Sequence, residues 1–160
     1  MLFIALTLSI SDAGKLEEGF RGVPWGASLV ESPESMICEE VVDDADALWS
    51  CAASIGDTPV EVIWMGYPAV GVYGVGITAA GYTACTALLA TARGAYGPGS
   101  PRTDTSVKTD RLWSDGGVVG SWSFNQYSAE CSLTLLSLPL YKAAQTATDA
   151  ASAAKGAGDM

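Results

Sequence analysis

Four cysteines are the most reactive side chains of the chain, which contains no histidine. They are Cys38, Cys51, Cys85 and Cys131. No two of them have the Cys-x-x-Cys spacing of redox motifs and zinc sites, and histidine, the other common zinc ligand, is absent. An even number of cysteines in a chain with an export-like start instead predicts two disulfides formed in an oxidising compartment. Four cysteines allow three pairings.

Base catalysis has few candidate residues in this chain. Without histidine, it would fall at neutral pH to a carboxylate or a lysine with a strongly shifted pKa. Ser28 lacks the closing glycine of a nucleophile elbow, and Ser152 of a Ser-x-x-Lys pattern lies in a tail without core residues. We therefore assign no catalytic residue and no cofactor. The alternative is a small secreted hydrolase that uses tuned carboxylates, with Glu61 paired to an acid from residues 31–46.

Acidic residues are densest between positions 31 and 46, where seven acids occur without a base. Asp43, Asp44 and Asp46 are weak calcium candidates, because carboxylates are hard oxygen ligands and exported proteins meet calcium outside the cell. The glycine and the terminal glutamate of a calcium-binding loop are absent. The pattern therefore predicts a solvated loop and no metal site.

Aromatic residues offer the main candidate ligand surface. The chain has five tryptophans and six tyrosines, and a flat exposed ring can stack on a ligand, although most of these rings lie at positions typical of a core. Trp25, Trp64 and Tyr67, together with Arg21, form the candidate binding surface.

The overall composition excludes several classes of partner. A formal net charge of −10 and a pI near 4.1 repel phosphate backbones and anionic headgroups, so we expect no nucleic-acid partner. The length of 160 residues fits one domain, and 49% hydrophobic residues supply a core. We expect a monomer.

The N-terminus predicts export. An apolar run over residues 1–10 is followed by small residues that suit cleavage after Ala13, so residues 1–13 are interpreted as the remnant of a signal peptide, with a buried N-terminal strand as the alternative. Ten apolar residues are too few for a membrane-spanning helix, which needs about 20. No transmembrane span is predicted elsewhere.

The hydrophobic patterns predict an α+β fold for residues 14–142. An antiparallel sheet of about five to six strands packs on one main helix, with a short N-terminal helix over 26–37. The serines and the asparagine of residues 121–125 alternate with two aromatics, which predicts a sheet with one wet side. Residues 143–160, rich in alanine, are expected to be a frayed helix or a disordered tail. The strands are predicted at 47–53, 60–67, 70–78, 111–114, 118–127 and 131–141, and the main helix at 79–96.

These placements favour one disulfide pairing. Cys85 lies on the buried stripe of the main helix and Cys131 on the core side of the last strand, so the two can meet where the helix packs on the sheet. Cys38 would then tie the acidic loop to Cys51.

Three short motifs resemble those of a protein family. They are Gly19-Phe-Arg-Gly-Val-Pro-Trp-Gly26, the helix ending Ala95-Tyr-Gly-Pro98, and Trp113 on the next strand. Together they resemble small exported bacterial proteins of uncharacterised function, in which an F-R-G-x-P-[FW]-G segment follows the signal and a helix ending Tyr-Gly-x-Pro precedes the last strands. The resemblance covers about half of the chain and departs from the family in the middle, which is rich in glycine and alanine. It implies an envelope location and an α+β fold, and it implies no activity.

The sequence thus predicts an exported, periplasmic or secreted, non-enzymatic binding or accessory domain of the cell envelope. An exposed sheet face or loop would contact an unknown envelope or secreted protein. Besides the hydrolase, a protein inhibitor that presents a disulfide-held loop near Cys38 and Cys51 is a further alternative.

Overall fold

The computed structural model of the protein describes residues 16–28, 36–41, 47–104 and 108–158. Within these residues the chain forms a single 3₁₀ turn at Leu16–Glu18, eight strands and two α-helices. The predicted signal remnant, residues 1–13, lies outside them. The strands are β1 Ile37–Glu40, β2 Ala47–Ile55, β3 Thr58–Tyr67, β4 Gly71–Ala80, β5 Ser100–Asp104, β6 Lys108–Asp115, β7 Val118–Asn125 and β8 Glu130–Ser137; the helices are α1 Tyr82–Tyr96 and α2 Leu138–Gly158.

All eight strands form one antiparallel sheet in the order β1-β2-β3-β4-β8-β7-β6-β5. The chain makes one meander of four strands, passes through α1, and makes a second meander whose last strand returns beside β4. Tight turns join β2 to β3 at Gly56 and β6 to β7 at Gly116 and Gly117, and all three glycines have positive φ. The β4–β8 pair therefore joins the two meanders at the centre of the sheet.

The predicted arrangement of five to six strands on one main helix with a short N-terminal helix is wrong. The sheet has eight strands, and a second helix, α2, follows β8 at the C-terminal end of the described chain. Neither end of the predicted N-terminal helix is helical. Ile37 begins β1. Gly26 lies beside β4 and donates its N–H to the carbonyl of Val72 at 2.7 Å. Residues 29–35 are outside the described chain. The two extra strands, β1 and β5, are short edge strands, which lack the alternation that identifies a half-buried strand.

One face of the sheet carries the hydrophobic core. Trp64 and Leu133 on this face are fully buried, and Leu88 of α1 packs into the same cluster. The segment before Trp25 closes the remainder of the face, because Phe20 is 1% exposed and its ring lies 5.5 Å from that of Trp64. The core therefore lies between the sheet on one side and α1 with the N-terminal segment on the other.

Both predicted disulfides are present. Cys85 of α1 is bonded to Cys131 of β8, which ties the main helix to the centre of the sheet. Cys38 of β1 is bonded to Cys51 of β2, and the two residues are directly paired in the strand register. No described cysteine is free.

Helix α2 packs on β4 and β8 through a small cluster separate from the main core. The ring of Tyr73, beside which the β3–β4 register shifts, packs 5.5 Å from the ring of Tyr141 on α2. Ala144, three residues further along α2, is also buried. Residues 143–158, predicted to be a frayed or disordered tail, continue this helix. Residues 150–158 are exposed, so the first half of α2 makes its contacts with the sheet.

Gly71 is a position where a side chain is expected to be costly. Its φ of 85° is in the left-handed region, and a Cβ there would collide with the backbone of Gly26. We expect Gly71→Ala to lower the free energy of unfolding by about 2 kcal/mol or more, measured by urea denaturation. Gly76→Ala is the matched control, because nothing lies within 4 Å of a Cβ there, and it should change stability by less than about 0.5 kcal/mol. Equal effects of the two substitutions would contradict this account.

Candidate functional site

A row of directly paired residues crosses six strands on the face of the sheet opposite the core. Residues that face each other across antiparallel strands point to the same side of the sheet, so this row forms one continuous strip. With neighbouring strands about 4.8 Å apart, the strip is about 24 Å long. From β1 to β7 it consists of Ile37, Ala52, Glu61, Thr78, Ser132 and Ser123.

This strip is the floor of an open trough with a volume of about 980 Å³. Glu39 and Ser50, which are paired with each other, line one flank, and the paired Glu130 and Asn125 line the other. Most floor side chains are small, so the sheet surface is left concave between the longer glutamates. We call this feature the trough.

The trough is lined by polar and apolar groups in similar measure. Hydroxyls come from serines and a threonine on β2, β4, β7 and β8, and three carboxylates come from Glu39, Glu61 and Glu130. Among the described lining residues there is no lysine, no arginine and no aromatic ring. The Ser50 hydroxyl lies 3.3 Å from Oε1 of Glu61, to which it donates a hydrogen bond. The surface therefore offers hydrogen-bond donors and acceptors together with negative charge.

The four residues predicted as a binding surface lie elsewhere. Trp64 is fully buried in the core. Trp25 is half-buried, and its indole N–H donates to the carbonyl of Leu16 at 3.0 Å. Tyr67 is half-buried as well. None of these three, nor Arg21, lines the trough.

Arg21 contacts the sheet and the ring of Phe20. Its guanidinium donates a hydrogen bond to the carbonyl of Ser54 on β2 and lies 6.0 Å from the centre of the Phe20 ring. Burial lowers the pKa of the guanidinium from its usual value. The side chain therefore ties the N-terminal segment to the sheet.

Two of the carboxylates considered for the hydrolase alternative lie in the trough. Glu61 lies at the centre of the trough floor, and Glu39, from the acidic stretch 31–46, lies on its flank. The calcium candidates Asp43, Asp44 and Asp46 are outside the described residues, as is the middle of the disulfide-held loop between Cys38 and Cys51 that the inhibitor alternative requires. Within the described ranges, no group of three or more acidic or cysteine residues is arranged to hold a metal ion.

Tyr96 and Pro98, at the end of α1, and Trp113 meet at a second, smaller cleft of about 490 Å³. The indole N–H of Trp113 donates to the carbonyl of Gly97 at 2.8 Å, and the ring of Tyr96 packs edge-on against it. Burial raises the pKa of Tyr96 to about 12, so its hydroxyl stays protonated at physiological pH. These contacts fix the turn that follows α1.

Comparison with known proteins gives no family for the chain. No protein-family profile and no curated protein matches it. A crystal structure of a DUF4309 family protein, YjgB from Bacillus subtilis, aligns with this chain at 8% sequence identity and a TM-score of 0.36. The alignment covers 61% of this chain and 67% of the YjgB chain. We draw no conclusion about fold or function from a likeness at this level. Of the helices within the described residues, none is both long and apolar enough to cross a membrane.

Proposed function

We propose that the protein is an exported binding domain of the cell envelope and that its ligand surface is the trough. The observation that carries this proposal is the shape of the sheet: one face is closed by α1 and the N-terminal segment, whereas the other holds an open trough of about 980 Å³. Pockets of several hundred Å³ with a few convergent polar groups are the usual form of a ligand site. Binding therefore needs no group beyond those that line the trough.

Export is supported by the two disulfides. Structural disulfides persist in oxidising compartments and are rare in the cytosol. Both bonds tie elements that are essential to the architecture, since one holds α1 to the sheet and the other holds the edge strand β1. A chain that depends on two such bonds is suited to the space outside the cytoplasmic membrane.

A hydrolase that uses tuned carboxylates is the second candidate, because Glu39 and Glu61 line the same trough. A carboxyl that acts as a general acid near neutral pH is usually kept protonated by burial. Glu39, Glu61 and Glu130 are all exposed. The geometry consequently supports binding better than acid–base catalysis.

A single experiment tests both parts of the proposed function. A photo-crosslinking amino acid is introduced at Thr78 or Ser123 in the trough, or at the exposed Thr86 on α1 as a control. After irradiation of cells, the protein is recovered from the envelope and the medium and weighed intact without reduction. We expect a mass four hydrogens below that of the reduced chain, because two disulfides form, and the same adduct at both trough positions but not at Thr86.

Three results would contradict the proposed function. Protein found only in the cytoplasm with four free thiols would remove the export part. Adducts that form equally at Thr86 and Thr78 would show that the trough has no preference for a partner. Turnover of a model ester or glycoside that is lost in Glu61→Gln would favour the hydrolase instead.

A further inference from the structure

We infer that the trough binds an extended polypeptide segment of a partner that carries lysine or arginine at about every fourth position. The inference rests on the proposed binding function and names the class of ligand. It follows from the charge of the trough, from the positions of its three glutamates in the strand register and from the shape of its floor.

The charge of the trough selects a cationic ligand. Three exposed carboxylates line it, and the described lining residues include no base that would neutralise them. The whole chain has a net charge of −10, so its long-range field also attracts cations and repels anions. Phosphorylated and other acidic ligands are therefore disfavoured.

The strand register places the three carboxylates on one diagonal of the sheet. From Glu39 to Glu61 the diagonal crosses two strand spacings and moves two residues along the strands, since Glu39 pairs with Ser50 and Ser50 with Ile63. From Glu61 to Glu130 it makes the same step again through β4. Two spacings of about 4.8 Å and two residues of about 3.4 Å put successive Cα atoms about 12 Å apart.

This interval matches an extended peptide better than a compact ligand. In an extended chain, every fourth residue lies on the same side and recurs after about 13.6 Å, which is within reach of a flexible lysine or arginine side chain. Three such cations span nine residues. A single amine or a metal ion would meet one carboxylate at a time.

The floor of the trough also suits a peptide backbone. Ala52, Thr78 and Ser132 are small, and Gly76 in the neighbouring row has no side chain, so an extended chain can approach the sheet closely. Hydroxyls both donate and accept hydrogen bonds, as the N–H and C=O groups of a bound backbone require. Among the described lining residues there is no aromatic ring to stack on a sugar, which disfavours a glycan.

Fluorescence anisotropy with labelled nonapeptides tests the inference on the intact, oxidised protein. The probe carries lysine at positions 1, 5 and 9 and is otherwise alanine and serine. We expect it to bind at low ionic strength and to weaken as salt is added. Glu61→Gln should reduce the affinity about fivefold, and replacing Glu39, Glu61 and Glu130 together by glutamine should reduce it about 100-fold. Glu17→Gln, an identical change outside the trough, should have less than a twofold effect.

A second peptide separates the predicted spacing from charge attraction alone. It has the same composition, with its three lysines adjacent at one end, and should bind at least fivefold more weakly. Equal affinity for the two peptides, or equal affinity of the wild-type protein and the triple glutamine variant, would overturn the inference. Circular dichroism of each variant verifies that the fold is unchanged.

The outcome for the ligand class is distinguishable from the outcome for the proposed function. If a neutral oligosaccharide or an acidic nonapeptide shifts the amide resonances of Thr78 and Ser132 while the lysine peptide does not, the inference fails and the trough remains a binding site. If none of these probes shifts them and the Thr78 crosslinker forms no adduct in cells, both fail. Shifts confined to the lysine peptide support both.

Discussion

Replacing Cys85 and Cys131 together by alanine should lower the free energy of unfolding by about 4 kcal/mol, the value that the chain-entropy description gives for a closed loop of this length. The bond spans 46 residues of sequence. It connects α1 to the central strand β8, and both sulfurs are buried. Guanidinium denaturation of the oxidised protein, monitored by tryptophan fluorescence, measures the change.

The second disulfide is the matched control for this prediction. The Cys38–Cys51 bond spans only 13 residues, so its removal by the same double substitution should cost about 3 kcal/mol. A larger loss from removing the Cys38–Cys51 bond than from removing the Cys85–Cys131 bond would contradict the assignment of the latter as the main tie of the core. The difference between the variants is more informative than either value alone.

Trp64→Ala should destabilise the protein by about 3–5 kcal/mol, the range for deleting a large buried ring from a core. Trp64 is fully buried, and its ring packs against Phe20 of the N-terminal segment. The loss therefore acts on the core and on the segment that closes it. Urea denaturation provides the measurement.

Trp64→Phe distinguishes lost packing from a lost hydrogen bond. The indole N–H of Trp64 is buried without a hydrogen-bond partner in the described part of the chain. Because no hydrogen bond is broken, the phenylalanine variant should lose less than half as much stability as the alanine variant. A stable Trp64→Ala variant with altered ligand binding would instead restore Trp64 to the ligand surface that the sequence predicted.

The central strands and the main helix could be predicted because their patterns are local. Predicted strands at 60–67 and 118–127 correspond to β3 and β7, and the predicted helix at 79–96 contains α1. Alternation marks a strand with one buried face, while spacings of three and four mark a helix with one buried stripe. The Cys85–Cys131 pairing followed from these two patterns.

The edge strands and the second helix follow from less local causes. β1 has the sequence Ile-Cys-Glu-Glu and β5 contains a proline, so neither strand has an apolar alternation. Each forms a strand because the neighbouring strand offers hydrogen-bonding groups along its edge. α2 is rich in alanine, which has the highest helix propensity, but no large apolar residue follows Tyr141 in it, so the sequence shows no buried stripe over the rest of the helix.

The trough could not be read from the sequence because it is assembled from single residues of six strands. Ala52, Thr78 and Ser132 are unremarkable alone, and only the register brings them into one row. A partial signal existed in β7, where Ser123 and Asn125 were predicted on the wet side of the sheet and do line the trough. By contrast, aromatic residue type directed attention to Trp64, which the packing buries.

The position of the Cys38–Cys51 bond has a geometric consequence for β1. Because side chains alternate along a strand, sliding β1 by one residue would turn Ile37 and Glu39 towards the core and Cys38 away from it. A covalent link between directly opposed residues forbids that slip. The bond thus fixes the register of β1, so that the acidic side chain of Glu39, and not that of its neighbour, lies on the solvent-exposed face of the sheet.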